Sequence, residues 1–88
     1  MTALVVGASS GLGRALAGEL ARRRHDLLLV ASDARDLEAV AADLNLRHGV
    51  AVRALALDLS AEPDPAARIV AALHGMTPLD ALLLPAGT

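Results

Sequence analysis

The sequence predicts an α/β fold, a parallel β-sheet with helices on both faces. Short, continuous apolar runs alternate with longer stretches that repeat at helical spacing. The connections between them are only a few residues long. A glycine-rich turn stands where the first run meets the first helical stretch. Runs buried on both faces belong to parallel strands, and strict strand–helix alternation requires crossover connections within one sheet.

Thr2 to Val6 is the first apolar run, closed by Gly7, and reads as a buried strand. Leu12, Leu16 and Leu20 recur every four residues beside Ala15, Ala17 and Ala21, which predicts a helix from about Gly11 to about Arg24. Arg22, Arg23, Arg24 and His25 stand at its C-terminal end, where positive charge suits the helix dipole. Leu27 to Ala31 is the second strand. Ser32 or Asp33 caps a second helix whose apolar face is Leu37, Val40, Ala41 and Leu44, and Gly49 ends it. Val50 to Leu57 is the third strand, closed by Asp58. Pro63 and Pro65 open a third helix carrying Ile69, Val70 and Leu73, and Gly75 stops it. Leu79 to Leu84 is the fourth strand. No internal repeat, linker or low-complexity segment interrupts this order.

Composition narrows the chemistry. The 88 residues form one domain at most, and 20 are Ala and 18 Leu. The apolar fraction is 55 % and the charged fraction 20 %, too apolar for a disordered tail. Cysteine is absent, so disulfide scaffolds, thiolate metal sites and thiol catalysis are excluded. Tyrosine and lysine are absent too, so this segment supplies no phenol or amine for catalysis. A formal charge of −2 and the lack of any aromatic platform argue against nucleic acid as a partner. A domain of this size buries only about 60–65 % of its unfolded surface. With a core of Ala and Leu, low intrinsic stability or a missing partner surface is expected. The N-terminus carries no basic leader, and the apolar runs are too short to span a bilayer, so a cytoplasmic setting without membrane contact is expected. His25, His48 and His74 fall at helix ends without metal spacing and read as surface residues; no metal site is expected. Asp26, Asp43, Asp64 and Asp80 read as turn, cap or surface residues.

The first turn, Gly7-Ala8-Ser9-Ser10-Gly11-Leu12-Gly13, has the makings of a phosphate cradle. Glycines allow a sharp turn and close approach of a ligand, while a helix N-terminus presents unpaired N–H groups and partial positive charge. Ser9 and Ser10 add hydroxyl donors. Two rival motifs overlap it. Gly7-Ala8-Ser9-Ser10-Gly11 fits the G-x-S-x-G nucleophile elbow, which would make Ser9 a hydrolase nucleophile with His74 as base and Asp58 or Asp80 as orienter. The P-loop needs Gly-Lys-Ser/Thr and fails because the chain has no lysine. A dinucleotide fingerprint requires an acidic residue about 20 positions beyond its glycines to hold the ribose. Asp33 meets that spacing and leans the cofactor toward NAD, although Arg35 nearby could accept the extra phosphate of NADP. Asp33 also suits a helix cap, and the two roles are compatible.

With these residues in view, the chain resembles the short-chain dehydrogenases/reductases, whose first turn reads T-G-x-x-x-G-[IL]-G; Val6 to Gly13 departs from it only at Val6. Leu28 to Ala31 running into Leu37-Glu38, and Leu57-Asp58-Leu59-Ser60, are similar to the second strand and the D-[VL]-[ST] element of that family. Leu79 to Gly87 resembles its fourth strand ending in N-N-A-G, with Leu84 and Pro85 replacing both Asn. The resemblance implies a partial Rossmann fold of four parallel strands in the order 3-2-1-4. It implies that Asp58 and Leu59 flank the adenine, and that Ala86 and Gly87 pass close to the nicotinamide ribose. Ser32 stands where NADP-preferring members often carry Arg and NAD-preferring members Asp.

The family's catalytic Ser and Tyr-x-x-x-Lys follow the fourth strand, and residues 1–88 contain neither Tyr nor Lys. The expectation is therefore the NAD(P)-binding half of a short-chain oxidoreductase, without catalytic residues of its own. The cofactor-binding set is Gly7, Ser9, Ser10, Gly11, Leu12, Gly13, Ser32, Asp33, Arg35, Asp58, Leu59, Ala86 and Gly87, and Gly13→Asp is expected to abolish binding. The alternative is a non-catalytic nucleotide-binding or interaction module ending at Thr88. Either way the fourth strand becomes an open edge. Leu82 to Leu84 and part of Leu27 to Val30 are expected to lie uncovered, inviting self-association or the remainder of a longer chain.

Overall fold

A computed structural model of the protein describes residues 1–8 and 11–83. The elements run β1 (Thr2–Val6), α1 (Gly11–Arg22), β2 (Asp26–Ala31), α2 (Ala34–His48), β3 (Val52–Ala56), α3 (Pro65–Ala72) and β4 (Leu79–Leu83). The strands form one parallel sheet in the order β3-β2-β1-β4, as the resemblance implied.

Side chains alternate between the two faces of the sheet. Ala3, Val5, Leu27, Leu29 and Ala31 pack under α1 and α2. Leu4, Leu28 and Val30 face the other way, where Leu57 is buried and Ile69 and Leu73 pack against them. Leu27, Leu28, Leu29 and Val30 are all fully buried, which corrects the expectation that part of this strand is uncovered. The central position of β2, between β1 and β3, gives it cover on both faces. On β4 the expectation of exposure holds for Leu82, 57 % exposed, but not for Leu83, which is partly buried against the core under α1 and α2; Leu84 lies outside the described residues, and Leu79 is also exposed.

The face that α1 buries is not the leucine stripe. Gly13, Ala17 and Ala21 are its buried residues, while Leu12 is 53 % exposed. Small residues four apart let the helix axis settle close to the sheet, and Leu16 and Leu20 are displaced to the flank. The helix stops at Arg22, two residues short of the expected end, because Arg24 is left-handed (φ 72°). The Arg24 N–H donates to Ala21 O and the His25 N–H to Leu20 O, the pairing of a Schellman cap with Arg where Gly is usual.

Helix α2 follows its predicted pattern. Leu37, Val40, Ala41 and Leu44 are buried, Asp33 is the N-cap and Gly49 (φ 70°) the left-handed C-cap. The pairing in β3 is shorter than expected, Val52 to Ala56, with Val50 and Leu57 buried as its flanks. Helix α3 opens at Pro65 rather than Pro63, because Asp64 caps it by accepting from the Ala67 N–H at 3.1 Å. Val70 points to solvent at 68 % exposure, so the predicted apolar face reduces to Ile69 and Leu73. Arg53 on β3 ties this helix down by donating to the carbonyls of Ala72 and His74 at 2.7 and 2.5 Å.

At the edge where the strands begin, the β1–β4 register slips between Thr2 and Ala3, leaving Asp80 as the extra residue. Its carboxylate lies 3.7 Å from Nδ1 of His25, a buried nitrogen with no hydrogen bond. His25 is therefore half-buried and not a plain surface residue. Asp26 accepts from the Ala51 N–H and from the Thr77 hydroxyl, so it fastens neighbouring connections.

Candidate dinucleotide site

The strand ends gather three connections at one edge of the sheet. The first is the glycine turn after β1. Gly7 is left-handed (φ 80°), a conformation that needs no Cβ. The carbonyl of Val30 accepts from the N–H of Gly7 at 2.6 Å and from that of Ala8 at 3.2 Å, which locks the turn against β2. Ala8 is fully buried.

The two later glycines of the motif do different work. A Cβ on Gly13 would overlap the Gly7 carbonyl, lying 2.8 Å from its carbon and 3.0 Å from Ala8 Cα. Gly13 thus lets helix and strand close on each other. Among the described residues, a Cβ on Gly11 would meet no atom within 4 Å beyond its chain neighbours and its own helix backbone. Gly11 lines open space at the N-terminus of α1, where backbone N–H groups and the positive end of the helix dipole favour an anion. This open side fits a pyrophosphate. Exposed Leu12 borders it. Ser9 and Ser10, which the sequence assigned to the same cradle, lie outside the described residues, as do Ala86 and Gly87.

The second connection carries Ser32, Asp33 and Arg35, all exposed. Oδ1 of Asp33 accepts from the Asp36 N–H at 3.1 Å, so the cap role is realised. The third carries Asp58 and Leu59 after β3, both exposed. Oδ1 of Asp58 accepts from the Ser60 hydroxyl at 2.6 Å and from the Ser60 N–H at 3.0 Å. These bonds, the hydroxyl's first, hold the Asp58 carboxyl below its usual range, so it is an anion fixed in a tight turn.

The order β3-β2-β1-β4 sets the position of a ligand. The chain leaves β1 toward β2 through α1, and after β3 it crosses to the far side of β1. Open sheets bind ligands in the crevice at such a reversal, beyond the strand ends. Gly7 and Gly11, at the end of β1 and the start of α1, border that crevice. Of the residues named for a hydrolase, His74 and Asp80 flank the start of β4, whereas Asp58 follows the end of β3, at the opposite end of the sheet; Ser9 lies outside the described residues. Among the described residues no cluster of His, Asp or Glu could hold a metal ion, and no helix is long and apolar enough to cross a membrane. Sequence reasoning passed over Arg14, in the first turns of α1. It lines a groove of about 200 Å³ with Asp36, Ala39, Val40, Asp43 and Leu44 of α2. No motif marks it, since its place depends on how the two helices pack.

Residues 1–88 match the family model described as short chain dehydrogenase. The chain belongs to the short-chain dehydrogenase family. It is 40 % identical over 62 residues to the very-long-chain 3-oxoacyl-CoA reductase of Aspergillus clavatus, covering 70 % of this chain and 18 % of that protein. A short-chain dehydrogenase from Sphingobium yanoikuyae, solved in complex with NADPH, superposes with a TM-score of 0.79 at 44 % identity, over 92 % of this chain and 32 % of that one. L-sorbose reductase from Gluconobacter frateurii, solved with NADPH and L-sorbose, gives a TM-score of 0.88 at 31 % identity, over 99 % of this chain and 33 % of that one. This short-chain dehydrogenase chain therefore spans between about a fifth and a third of the length of these relatives. Both solved relatives hold NADPH, and the lean toward NAD drawn from Asp33 finds no support in them.

Proposed function

We propose that this chain is the NADP(H)-binding portion of an oxidoreductase acting on an alcohol/carbonyl pair. The observation that carries the reading is the open space at Gly11, bounded by the left-handed turn at Gly7 and closed behind by Gly13. The NADPH-bound relatives support the same reading. Ser9, Ser10, Gly11 and Leu12 hold the pyrophosphate, with Gly7 and Gly13 shaping the turn beneath it. Ser32, Asp33 and Arg35 receive the adenosine ribose, Asp58 and Leu59 flank the adenine, and Ala86 and Gly87 border the nicotinamide ribose. When bound, the nicotinamide supplies or accepts a hydride. Residues of this chain bind and orient it. The acid/base groups belong to polypeptide outside residues 1–88, packed along the exposed Leu79 and Leu82 of β4.

Titration of the purified chain with NADPH tests this. Gly11→Asp puts a carboxylate into the open space and is expected to weaken binding more than a hundredfold while leaving the melting temperature within a few degrees. Unchanged affinity in that variant would overturn the assignment. Gly13→Asp does not serve, because Gly13 faces the Gly7 backbone and its replacement disturbs the fold.

A further inference from the structure

We propose that His25 and Asp80 form a proton-operated latch on β4: proton uptake by His25 fastens the start of that edge strand to the α1–β2 connection, and proton release loosens it. The inference stands apart from the dinucleotide reading above, because both residues lie at the end of the sheet where the strands begin.

The backbone brings the two side chains together. The left-handed turn at Arg24 ends α1, and the His25 N–H is spent on Leu20 O at 3.0 Å. On the other side, β1 pairs Thr2 with Leu79 and Ala3 with Ala81, so Asp80 has no opposite residue in β1. Its carboxylate lies 3.7 Å from Nδ1 of His25, with the two side chains 26 % and 25 % exposed. Nδ1 is buried and makes no hydrogen bond. A separation of 3.7 Å is too long for a hydrogen bond, but a small closure would form one. A neutral imidazole carries one N–H, so it offers the carboxylate either a lone pair or an uncharged donor. An imidazolium donates from both nitrogens and sets a full positive charge before the carboxylate. Histidine is the side chain that makes this change between pH 5 and 8.

The other charges on the surrounding elements are engaged elsewhere. On α1, Glu19 is held by Arg22 and Arg23. In the connection itself, Arg24 donates to the His48 carbonyl at 2.8 Å. On β2, Asp26 takes the Ala51 N–H on one oxygen and the Thr77 hydroxyl on the other. The amino group of Met1, ahead of β1, belongs to an exposed residue. Asp80 is thus the carboxylate that His25 meets. The edge position of β4 gives the contact its effect. Among the described strands β4 pairs with β1 alone. Its approach is otherwise held by the Thr2 N–H on Pro78 O at 2.9 Å and by the Thr2 and Thr77 hydroxyls at 2.6 Å. One more charge-assisted bond at Asp80 is a sizeable addition to so few. The contact gains from the proton, so β4 is held more tightly on acidification and loosens as the proton leaves.

Amide hydrogen exchange of the purified chain at about pH 5.5 and pH 8 decides it, with rates corrected for the intrinsic effect of pH. The β2 amides serve as reference, which removes any effect of pH on the whole fold, including one from His48 or His74. Relative to them, the β4 amides of the wild type are expected to be about fivefold better protected at the lower pH. Asp80→Asn and His25→Gln are each expected to abolish that difference, and the double variant to behave like either single one. Circular dichroism reports on the fold of each variant, and where one replacement unfolds the chain the other carries the comparison. A wild type whose β4 protection is the same at both pH values overturns the latch. So does a pH difference that survives both replacements, or a variant that loosens β4 equally at both pH values, which marks a packing role alone.

Discussion

Gly13 packs so closely against the carbonyl of Gly7 that a single added methyl would overlap it. The contact joins the first helix to the turn that follows the central strand, and neither side is a flexible side chain that could move aside. Gly13→Ala is therefore expected to destabilise the fold by about 1–3 kcal/mol, the usual effect of overpacking. Gly11→Ala, directed into empty space, leaves stability unchanged or slightly raised, since Ala is the better helix former. Thermal unfolding of the two variants side by side makes the comparison, and equal melting temperatures would contradict the division of labour between these glycines.

Asp33 caps α2 and stands beside the proposed ribose site, and the two roles separate by substitution. Asn is as good a cap as Asp, so Asp33→Asn should hold stability within about 0.5 kcal/mol, whereas Asp33→Ala should lose about 1 kcal/mol. Removing the charge also removes repulsion toward a 2′-phosphate. Asp33→Asn is expected to raise the NADPH-to-NADH affinity ratio, read by titration against both. A ratio that falls would place the carboxylate away from that phosphate.

Glu19 carries the clearest acid sensitivity. Arg22 and Arg23 both donate to its carboxylate, at 2.6 and 2.7 Å. Those bonds lower its pKa from the ordinary 4.5 to about 2. A carboxyl whose pKa is depressed by folding adds stability above its unfolded value, and that stability is lost as pH falls toward the folded one. The contribution is thus complete above about pH 4.5 and gone near pH 2. The group is exposed, so its effect is small and weakens with salt. Comparing the acid limb of unfolding for wild type and Glu19→Gln between pH 5 and pH 2, at about 0.05 and 0.5 M salt, should show a flatter limb in the variant at low salt only. Identical limbs would mean the ion pairs contribute nothing.

The sequence carried the fold class because each parallel strand is short, apolar and bounded by turn residues. Helix α2 was readable closely: Leu37, Val40, Ala41 and Leu44 repeat at helical spacing between a cap at Ser32 or Asp33, realised by Asp33, and a terminating Gly49. Helix α1 was not, because its leucines outweigh Gly13, Ala17 and Ala21 in hydropathy, and only the closeness of the sheet makes the small residues the better inner face. The turn at Arg24 was invisible, since a left-handed position is usually announced by Gly or Asn. The same limit applied to the site. The candidate residues from Gly7 to Gly13 and Asp33 follow from motif and spacing, and Asp58 from the family resemblance. The contact of His25 with Asp80 depends on a register slip, and the place of Arg14 on the packing of two helices, neither of which is local in sequence.

Helix α3 has no fully buried residue, and its end is tied to the sheet through the single side chain of Arg53. The helices opposite it, by contrast, press buried residues onto β1 and β2. Protection against amide hydrogen exchange should therefore be uneven across the molecule. The α3 amides should exchange through a local opening that leaves the rest intact, and those of β1 and β2 only through global unfolding. Because Ile69 and Leu73 pack against the side of the sheet that holds Leu28 and Val30, each such opening briefly bares one face of β2, so a low-cost excursion exposes apolar strand surface that favours aggregation.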